Sequence, residues 1–423
     1  MSHRRLEFLR RHWLRSVAVL AVIGVALPSV SAADKSQGRF TLVDGDRVVL
    51  LGGTFIEREQ AYGYVEAALT ARFPDAQVQF RNLGWSGDTV WGEARAGFGT
   101  PADGFAQLKQ HVLELKPTVI LLNYGANESF AGRAGLADFN AGLSTLLAAL
   151  DETKARVVFL SPTPHEDLGR PLPNPARHNE QLRLYTAELA KVAAQRNEPL
   201  VNLFELLGKQ LAPPAAIPLT DNGLHLTAYG YWRAAPVIEQ GLGLTPRAWT
   251  IEIDATRHNI AARGTSISEA SFVGGAIRFL ARDAQLPAAP PPAASPQAAG
   301  PAPRVLRVDG LEAGQYTLSV DGEVVAGPAP AAAWSNGVAI DRGPDFAQSE
   351  QLRQAILAKN ALYFHRWRPQ NVTYLLGFRK HEQGQNAVEI PQFDPLIEQQ
   401  EAAIHDLAAP QARRYELTRV SAP

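Results

Sequence analysis

The pattern that most constrains this chain is a series of short, continuous apolar runs separated by longer amphipathic stretches. This pattern extends from about residue 48 to residue 244. Strands that alternate with helices pair in parallel, and continuous apolar strands are typical of a sheet covered by helices on both faces. The sequence therefore predicts an α/β fold, a three-layer α/β/α sandwich with a five-stranded parallel sheet. The strands are expected at Val48–Leu51, Val78–Phe80, Val119–Leu122, Val157–Leu160 and Pro199–Leu203.

The pattern of apolar and polar residues changes after about residue 244, and we expect the whole chain to contain four segments. Residues 1–32 are predicted to be a signal peptide and residues 40–244 the α/β domain. Residues 245–330 alternate apolar with polar side chains, which predicts a small β module with a Pro/Ala-rich loop at 286–303. Residues 331–423 carry apolar stripes at helical spacing and are expected to form a helical C-terminal segment.

The N-terminus has the order of an export signal. Arginine-rich residues precede an apolar run from Val17 to Val30, and small residues ending at Ala32 supply a cleavage site. This order is typical of a secretory signal peptide, and the pair Arg10-Arg11 resembles a twin-arginine signal. We therefore expect a periplasmic or secreted protein with no stable membrane span after cleavage. An uncleaved anchor is the alternative.

Composition argues against several classes of function. Lys and Arg total 41 against 42 for Asp and Glu, so the charge balance does not indicate a nucleic-acid-binding protein. The chain has no cysteine, which excludes disulfides, thiol catalysis and thiolate metal sites. His165, His178 and His225 lack the spacing of a metal motif, so we expect neither a metal nor a cofactor.

Four polar segments follow apolar runs, where the carboxyl ends of parallel strands place ligand-binding residues. A hydroxyl at a strand-to-helix turn becomes a nucleophile when a neighbouring base takes its proton. We therefore predict Thr54 as the nucleophile and His225 as the general base, with Asp221 or Asn222 on its other ring nitrogen. The four segments are Gly52-Gly53-Thr54, Ser86-Gly87-Asp88-Thr89, Gly125-Ala126-Asn127-Glu128 and Asp221-Asn222-Gly223-Leu224-His225.

The oxyanion of a tetrahedral intermediate requires preorganised hydrogen-bond donors. We expect the backbone amides of Thr54 and Gly87 and the side chain of Asn127 to supply them. The methyl group of Thr54 crowds the attack and stiffens χ1, so acyl transfer is expected to be slower than with serine. A structural role remains the alternative, because a threonine after a strand often satisfies a turn.

Together, the four segments resemble the SGNH hydrolases, also called the GDSL esterase/lipase family, over roughly residues 48–240. Gly87, Asn127 and His225 match the positions that this family uses for the oxyanion and the base. The sequence departs from the family at the Gly-Asp-Ser turn, which reads Gly52-Gly53-Thr54. It also has Asn222 where the family's Asp-x-x-His block has aspartate.

The resemblance implies an exported hydrolase that removes small acyl groups from esters. Acetyl groups on carbohydrate are the substrate that the family's exported members suggest. A second hypothesis is a degenerate hydrolase whose cleft binds a glycan without cleaving it, which the changes at Gly53 and Thr54 favour. An acyltransferase that uses the same residues is a third.

A further group of side chains near the C-terminus combines cations with aromatic rings. Such a group can hold a sugar or an acidic polymer. Alternatively, it forms a seam between domains, with Trp367 buried and the arginines paired. Its members are Arg366, Trp367, Arg368, Asn371, Arg379, Lys380 and His381.

Overall fold

The computed structural model describes residues 40–211, 217–293, 295, 304–382 and 386–420. The predicted signal peptide lies outside these residues, as does most of the second half of the Pro/Ala-rich loop. Within the described ranges, no helix has both the length and the apolar character needed to cross a bilayer.

A five-stranded, all-parallel sheet forms the centre of the α/β domain, which confirms the predicted fold class. Its order is β2-β1-β3-β4-β5, which places β1 and β3 in the interior. Leu50 and Leu51 face two different buried cores, so both faces of the sheet are covered. The strands are β1 (Arg47–Gly52), β2 (Gln79–Gly84), β3 (Val119–Asn123), β4 (Arg156–Leu160) and β5 (Leu200–Val201).

Helices α1, α2, α6 and α7 contribute to the core on one face of the sheet, and α3, α4 and α5 contribute to the other. The first helix was not expected: the apolar pattern predicts a helix only from about residue 62 to 73, but α1 begins at Thr54. Gly63 has a φ of 65° and separates α1 from α2. The bounds are α1 (Thr54–Tyr62), α2 (Tyr64–Arg72), α3 (Pro101–Leu115), α4 (Leu136–Leu150), α5 (Ala176–Arg196), α6 (Leu203–Gly208) and α7 (Ala228–Gly241).

Two further sheets follow the α/β domain and share one core, which contains Ile251, Phe279 and Trp334. Their orders are β13-β10-β6-β7 and β12-β11-β14-β9-β8. The short helix α8 (Ala331–Asn336) packs beside them. The strands are β6 (Thr250–Asp254), β7 (Asn259–Arg263), β8 (Thr265–Val273), β9 (Ala276–Asp283), β10 (Arg304–Asp309), β11 (Gln315–Val320), β12 (Glu323–Pro330), β13 (Val338–Ile340) and β14 (Ala412–Arg419).

The C-terminal segment contains α9 (Pro344–Trp367), α10 (Val372–Leu375) and α11 (Phe393–Ala408), but it is not purely helical. Strands β13 and β14 also come from this segment, and β14 pairs with both β9 and β11. Only two buried apolar side chains alternate in β14, Tyr415 and Leu417. This local pattern is weak, and the strand depends on partners that are distant in sequence.

Helix α9 packs against the α/β domain through apolar and charged contacts. Ile356 and Leu352 belong to a buried cluster that also contains residues of α2. Lys359 is 1% exposed, and its Nζ lies 2.7 Å from Glu66 Oε1. The same ammonium group donates a hydrogen bond to the carbonyl oxygen of Phe80 at 3.0 Å. The helix therefore buries a charge in the α/β domain and does not form a free tail.

We predict that Lys359→Met lowers the free energy of unfolding by about 3 to 5 kcal/mol, because it leaves Glu66 buried without its cation. The double variant Lys359→Met/Glu66→Gln is expected to recover most of this loss. Urea denaturation measures both effects. The control Lys191→Met breaks an exposed pair with Glu188 and should change stability by only about 0 to 1 kcal/mol. An equal loss in the single and double variants would contradict the prediction.

Candidate active site

A cleft at the carboxyl end of the parallel sheet brings together three of the predicted residues. Thr54 follows β1, Asn127 follows β3 and His225 precedes α7. All three line one cavity of about 70 Å³. The other lining residues include Arg58, Asp88, Phe130, His165, Leu224 and Tyr231.

The turn that presents Thr54 requires glycine at the end of β1. A Cβ atom at Gly52 would lie 2.3 Å from the carbonyl oxygen of Asn123. The next residue, Gly53, is the N-cap of α1, so Thr54 occupies the first helical position. The Thr54 hydroxyl neither caps the helix nor bonds to any residue that the structure describes. The geometry therefore does not support the alternative that Thr54 satisfies the turn.

The first turn of α1 and the Asn127 side chain supply hydrogen-bond donors at the cleft. The first backbone amides of a helix have no acceptor within the helix, and Thr54 is the first residue of α1. Asn127 Nδ2 donates one hydrogen bond to the carbonyl oxygen of Asp88 at 2.7 Å and retains a second N–H. Gly87 has a left-handed φ of 80°, but it is not among the described residues that line the cavity, whereas its neighbour Asp88 is.

The loop after β2 is held by a buried network that the sequence analysis missed. Asp88 Oδ2 accepts hydrogen bonds from Arg95 Nε at 2.7 Å and from the Tyr124 hydroxyl at 2.9 Å. Arg95 also donates to the carbonyl oxygen of Leu83 at 2.8 Å. Tyr124 lies 36 positions from Asp88, and no local motif indicates the contacts of this network.

Glu128 stands where the resemblance expects aspartate, and it links two loops of the site. Its carboxylate accepts hydrogen bonds from the amides of Val90 at 2.9 Å and Gly125 at 2.8 Å. Burial raises the pKa of Glu128 to about 7. The side chain is therefore part of the framework that positions Asn127.

Asn222 is the residue that contacts the ring of His225. Its Nδ2 lies 3.1 Å from His225 Nδ1. Its Oδ1 accepts hydrogen bonds from the amides of Leu224 at 3.1 Å and His225 at 2.9 Å. Because the oxygen is engaged by two backbone donors, the amide presents an N–H group to Nδ1. The neutral imidazole then carries its proton on Nε2.

Asp221, the other candidate, pairs instead with Arg58 at 2.7 Å. Burial and the Arg58 cation lower the pKa of His225, while the Asp221 carboxylate acts in the opposite direction. The imidazole is therefore uncharged near neutral pH. The sequence leaves open whether Asp221 or Asn222 contacts the His225 ring. In the structure, the turn places Asn222 against the ring and Asp221 against Arg58.

An aromatic stack forms one wall of the cleft and was not recognised as a unit in the sequence. The rings of His165 and His178 are stacked with centroids 4.6 Å apart, and Phe130 lies 4.1 Å from His178. Burial lowers the pKa of His165 to about 4, and the nearby His178 and His225 add to this effect. The stack is therefore uncharged, and Phe130 remains 65% exposed. Within the described chain, no group of three or more His, Asp or Glu side chains is arranged to hold a metal ion.

The C-terminal cationic group reaches the loop beside the cleft. Arg368 lies 3.1 Å from Glu57 Oε2 and 3.5 Å above the ring of Trp85. The same carboxylate oxygen of Glu57 accepts a hydrogen bond from the amide of Ser86. Trp367 packs against Trp85 with ring centroids 5.9 Å apart. Trp367 and Arg368 therefore pack the end of α9 against the loop after β2.

The α/β/α fold, with a hydroxyl, an imidazole and an amide at one edge of its sheet, defines the class of carboxylic ester hydrolases. Residues 42–233 match the GDSL-like lipase/acylhydrolase family. This match confirms the resemblance inferred from the four segments. Comparison with curated proteins finds no significant match.

Solved structures are also similar to this chain, and the first of them shows the same fold. One is described as "BT4096 a gut microbial diltiazem-metabolizing enzyme"; it has a TM-score of 0.70 and 15% identity, covering 90% of this chain and 99% of that one. A catalytic mutant of Axe2, an acetylxylan esterase from Geobacillus stearothermophilus, has a TM-score of 0.39 and 18% identity, covering 49% of this chain and 98% of its own. LAE5, an α/β hydrolase from the metagenome of Lake Arreo, Spain, has a TM-score of 0.38 and 21% identity, covering 48% of this chain and 97% of its own.

We predict that Asn222→Asp raises the pKa of His225 and transfers the proton of the neutral ring to Nδ1. A carboxylate stabilises the imidazolium and accepts a hydrogen bond from Nδ1–H, which an amide N–H group cannot do. Nitrogen chemical shifts of labelled histidine measure both effects. As a control, Asp221→Asn should lower the pKa, because it removes the anion and leaves the Arg58 cation. Shifts in the same direction in both variants would contradict the assignment.

Proposed function

We propose that this protein is an exported ester hydrolase that removes small acyl groups, with acetyl groups on carbohydrate as the candidate substrate. The observation that carries this proposal is the convergence of Thr54, Asn127 and His225 on one cleft. The Thr54 hydroxyl has no partner among the described residues, so it is available for reaction. The match of residues 42–233 to an acylhydrolase family supports the same class of chemistry.

In the proposed reaction, Thr54 Oγ1 attacks the ester carbonyl carbon while His225 Nε2 takes the hydroxyl proton. The Thr54 amide and Asn127 Nδ2 hold the oxyanion of the tetrahedral intermediate. The imidazolium then protonates the leaving alkoxide, which departs as an alcohol. Finally, His225 removes a proton from a water molecule as the water attacks the acyl-threonine. The imidazolium then returns the proton to Thr54 Oγ1 as the acid is released.

This sequence of steps requires the tautomer of His225 with its proton on Nδ1. The contact with Asn222 Nδ2 favours the other tautomer, in which Nε2 carries the proton and acts as a donor. The reactive tautomer is therefore disfavoured, because forming it breaks this hydrogen bond. We infer that turnover is slow and that the missing carboxylate limits it.

The size and walls of the cleft support a small acyl group on a ring-shaped alcohol. A cavity of about 70 Å³ exceeds the roughly 10 to 15 Å³ that a single water requires, but it is small for a long acyl chain. The exposed ring of Phe130 and the side chain of Leu224, which is 38% exposed, lie at the cleft. Apolar faces beside polar groups are typical of small-molecule sites.

A glycan-binding protein without catalysis is the second candidate. It is favoured by the donor that Asn222 presents to His225, and by Gly53 in place of the aspartate of the family turn. The two hypotheses predict different results for substitutions at Thr54.

If Thr54 is the nucleophile, the purified protein should hydrolyse 4-nitrophenyl acetate, and Thr54→Ala or His225→Ala should abolish this activity. Thr54→Ser should retain or raise it, since the hydroxyl remains and the crowding methyl group is lost. Asn127→Ala should lower kcat by roughly 10²- to 10³-fold through loss of an oxyanion donor. Asn222→Asp should raise kcat by stabilising the tautomer that accepts the proton.

Ser86→Ala is the matched control, because Ser86 is a neighbouring hydroxyl that does not line the cleft in the described structure. Its activity should equal that of the wild type. Undiminished hydrolysis by Thr54→Ala would exclude Thr54 as the nucleophile. An inert wild type that becomes active only as Thr54→Ser would support the binding hypothesis.

Export is part of this proposal and is supported by the basic, apolar and small-residue order of residues 1–32. We predict that the exported protein begins at or near Ala33, as measured by mass spectrometry of its N-terminal peptide. Recovery of the full-length chain from the membrane fraction would instead indicate an uncleaved anchor.

A further inference from the structure

The turn that carries His225 is tied to the helix that carries Thr54 by the side chain of Arg58. Thr54 and Arg58 are four residues apart on α1, so they lie on the same face of the helix. Both residues line the candidate active site, and so does His225. A side chain that starts on α1 and ends on the turn fixes the position of one reacting group relative to the other.

Arg58 contacts the turn on both sides of His225. Its Nη2 lies 2.7 Å from Asp221 Oδ2 and 3.3 Å from the carbonyl oxygen of Leu226. The turn is closed between these two anchors, because the amide of Asp221 donates a hydrogen bond to the carbonyl oxygen of His225 at 3.0 Å. A displacement of the anchors would therefore move the imidazole with them.

An aromatic pair supports the guanidinium group of Arg58. The Tyr62 hydroxyl lies 3.3 Å from Arg58 Nη2, and the guanidinium carbon lies 5.9 Å from the centroid of the Tyr62 ring. That ring stacks on Tyr231 of α7 with centroids 5.0 Å apart. Tyr231 is fully buried, and its hydroxyl donates a hydrogen bond to the carbonyl oxygen of Phe55 at 2.6 Å. This packing restricts the guanidinium group to the orientation that contacts the turn.

The exposure of the ion pair indicates a role in geometry and not in folding. The side chains of Arg58 and Asp221 are 29% and 45% exposed, and solvent-screened pairs of this kind contribute little to stability. Burial lowers the pKa of His225, the Arg58 cation lowers it further and Asp221 raises it. The other titratable ring near His225, that of His165, is uncharged near neutral pH. Removing both members of the pair therefore has opposing effects on the pKa, whereas it leaves the turn untied.

We propose that Arg58 is a positioning residue that holds the His225 imidazole within reach of the Thr54 hydroxyl. It acts through the turn, at Asp221 and Leu226. This role rests on the ester hydrolysis proposed above, in which the imidazole takes the hydroxyl proton. The two heavy atoms must approach within about 2.6 to 3.2 Å for this transfer, so a small displacement of the turn lowers the rate.

The test compares Arg58→Met with the wild-type full chain in the hydrolysis of 4-nitrophenyl acetate. Methionine keeps much of the aliphatic side chain and removes the hydrogen bonds to the turn. We expect kcat to fall roughly 10- to 10²-fold, as misplacement by about 1 Å does, with KM nearly unchanged. The pKa of His225, measured from kcat/KM against pH, should rise because a cation is lost. Arg58→Lys keeps the charge, so it should keep the pKa and recover part of kcat.

The double variant Arg58→Met/Asp221→Asn separates position from charge. The pKa of His225 should return towards its wild-type value because both charges are lost, but kcat should stay low because the turn is still untied. Arg196→Met is the matched control: Arg196 and its partner Asp151 are 27% and 53% exposed, and Arg196 does not line the cleft of the described structure. Its kcat should equal that of the wild type. Unchanged kcat in Arg58→Met, or wild-type kcat in the double variant, would overturn the proposal.

A measurement of position makes the test independent of turnover. In protein labelled at histidine and at threonine methyl groups, the nuclear Overhauser effect between the Thr54 methyl group and the His225 ring should be weaker in Arg58→Met than in the wild type or Arg196→Met. Urea denaturation should show similar stability for the two variants. A wild type without ester hydrolysis would contradict the proposed function, whereas an unchanged nuclear Overhauser effect in Arg58→Met would overturn the role of Arg58.

Discussion

The buried ion pair between Asp88 and Arg95 is the interaction on which the geometry of the candidate active site depends. Both side chains are completely buried. Removing one partner of a buried ion pair is strongly destabilising, because it leaves the other charge uncompensated. The carboxylate also accepts the Tyr124 hydroxyl, and the backbone carbonyl of Asp88 accepts Asn127 Nδ2. One residue thus joins the loop after β2 to the loop after β3. The position of the Asn127 side chain at the cleft follows from this contact.

The surroundings of His225 show how one atom changes what an arrangement of side chains can do chemically. Asn222 occupies the place of a carboxylate and makes the expected contact with the His225 ring. Its oxygen is held by two backbone amides, so only the nitrogen faces the ring. An aspartate has two oxygens and can serve the backbone and the ring together. Asn222 therefore makes the backbone hydrogen bonds that an aspartate would make in this turn. However, it favours the ring proton of His225 on Nε2, whereas an aspartate would favour it on Nδ1.

The fold and the main site residues could be predicted because both depend on local patterns. Continuous apolar runs mark strands covered on both faces, and polar residues after those runs meet at one edge of the sheet. Thr54, Asn127 and His225 were found in this way. The contact between Arg58 and Asp221 could not be found, because these residues are 163 positions apart and no local pattern links them. Strand β14 was missed for a similar reason, since its partners lie far away in the chain.

The link between Arg368 and Glu57 spans 311 positions and ends beside the loop that carries Ser86. Contacts between segments so distant in sequence carry a large entropic cost of chain closure, and they are slow to form compared with local helices and turns. The α/β domain can therefore acquire its sheet before α9 docks. The contact of Arg368 with Glu57 then forms late, when the last quarter of the polypeptide packs against the first. A nascent chain would therefore form its α/β sheet before the C-terminal segment makes this contact.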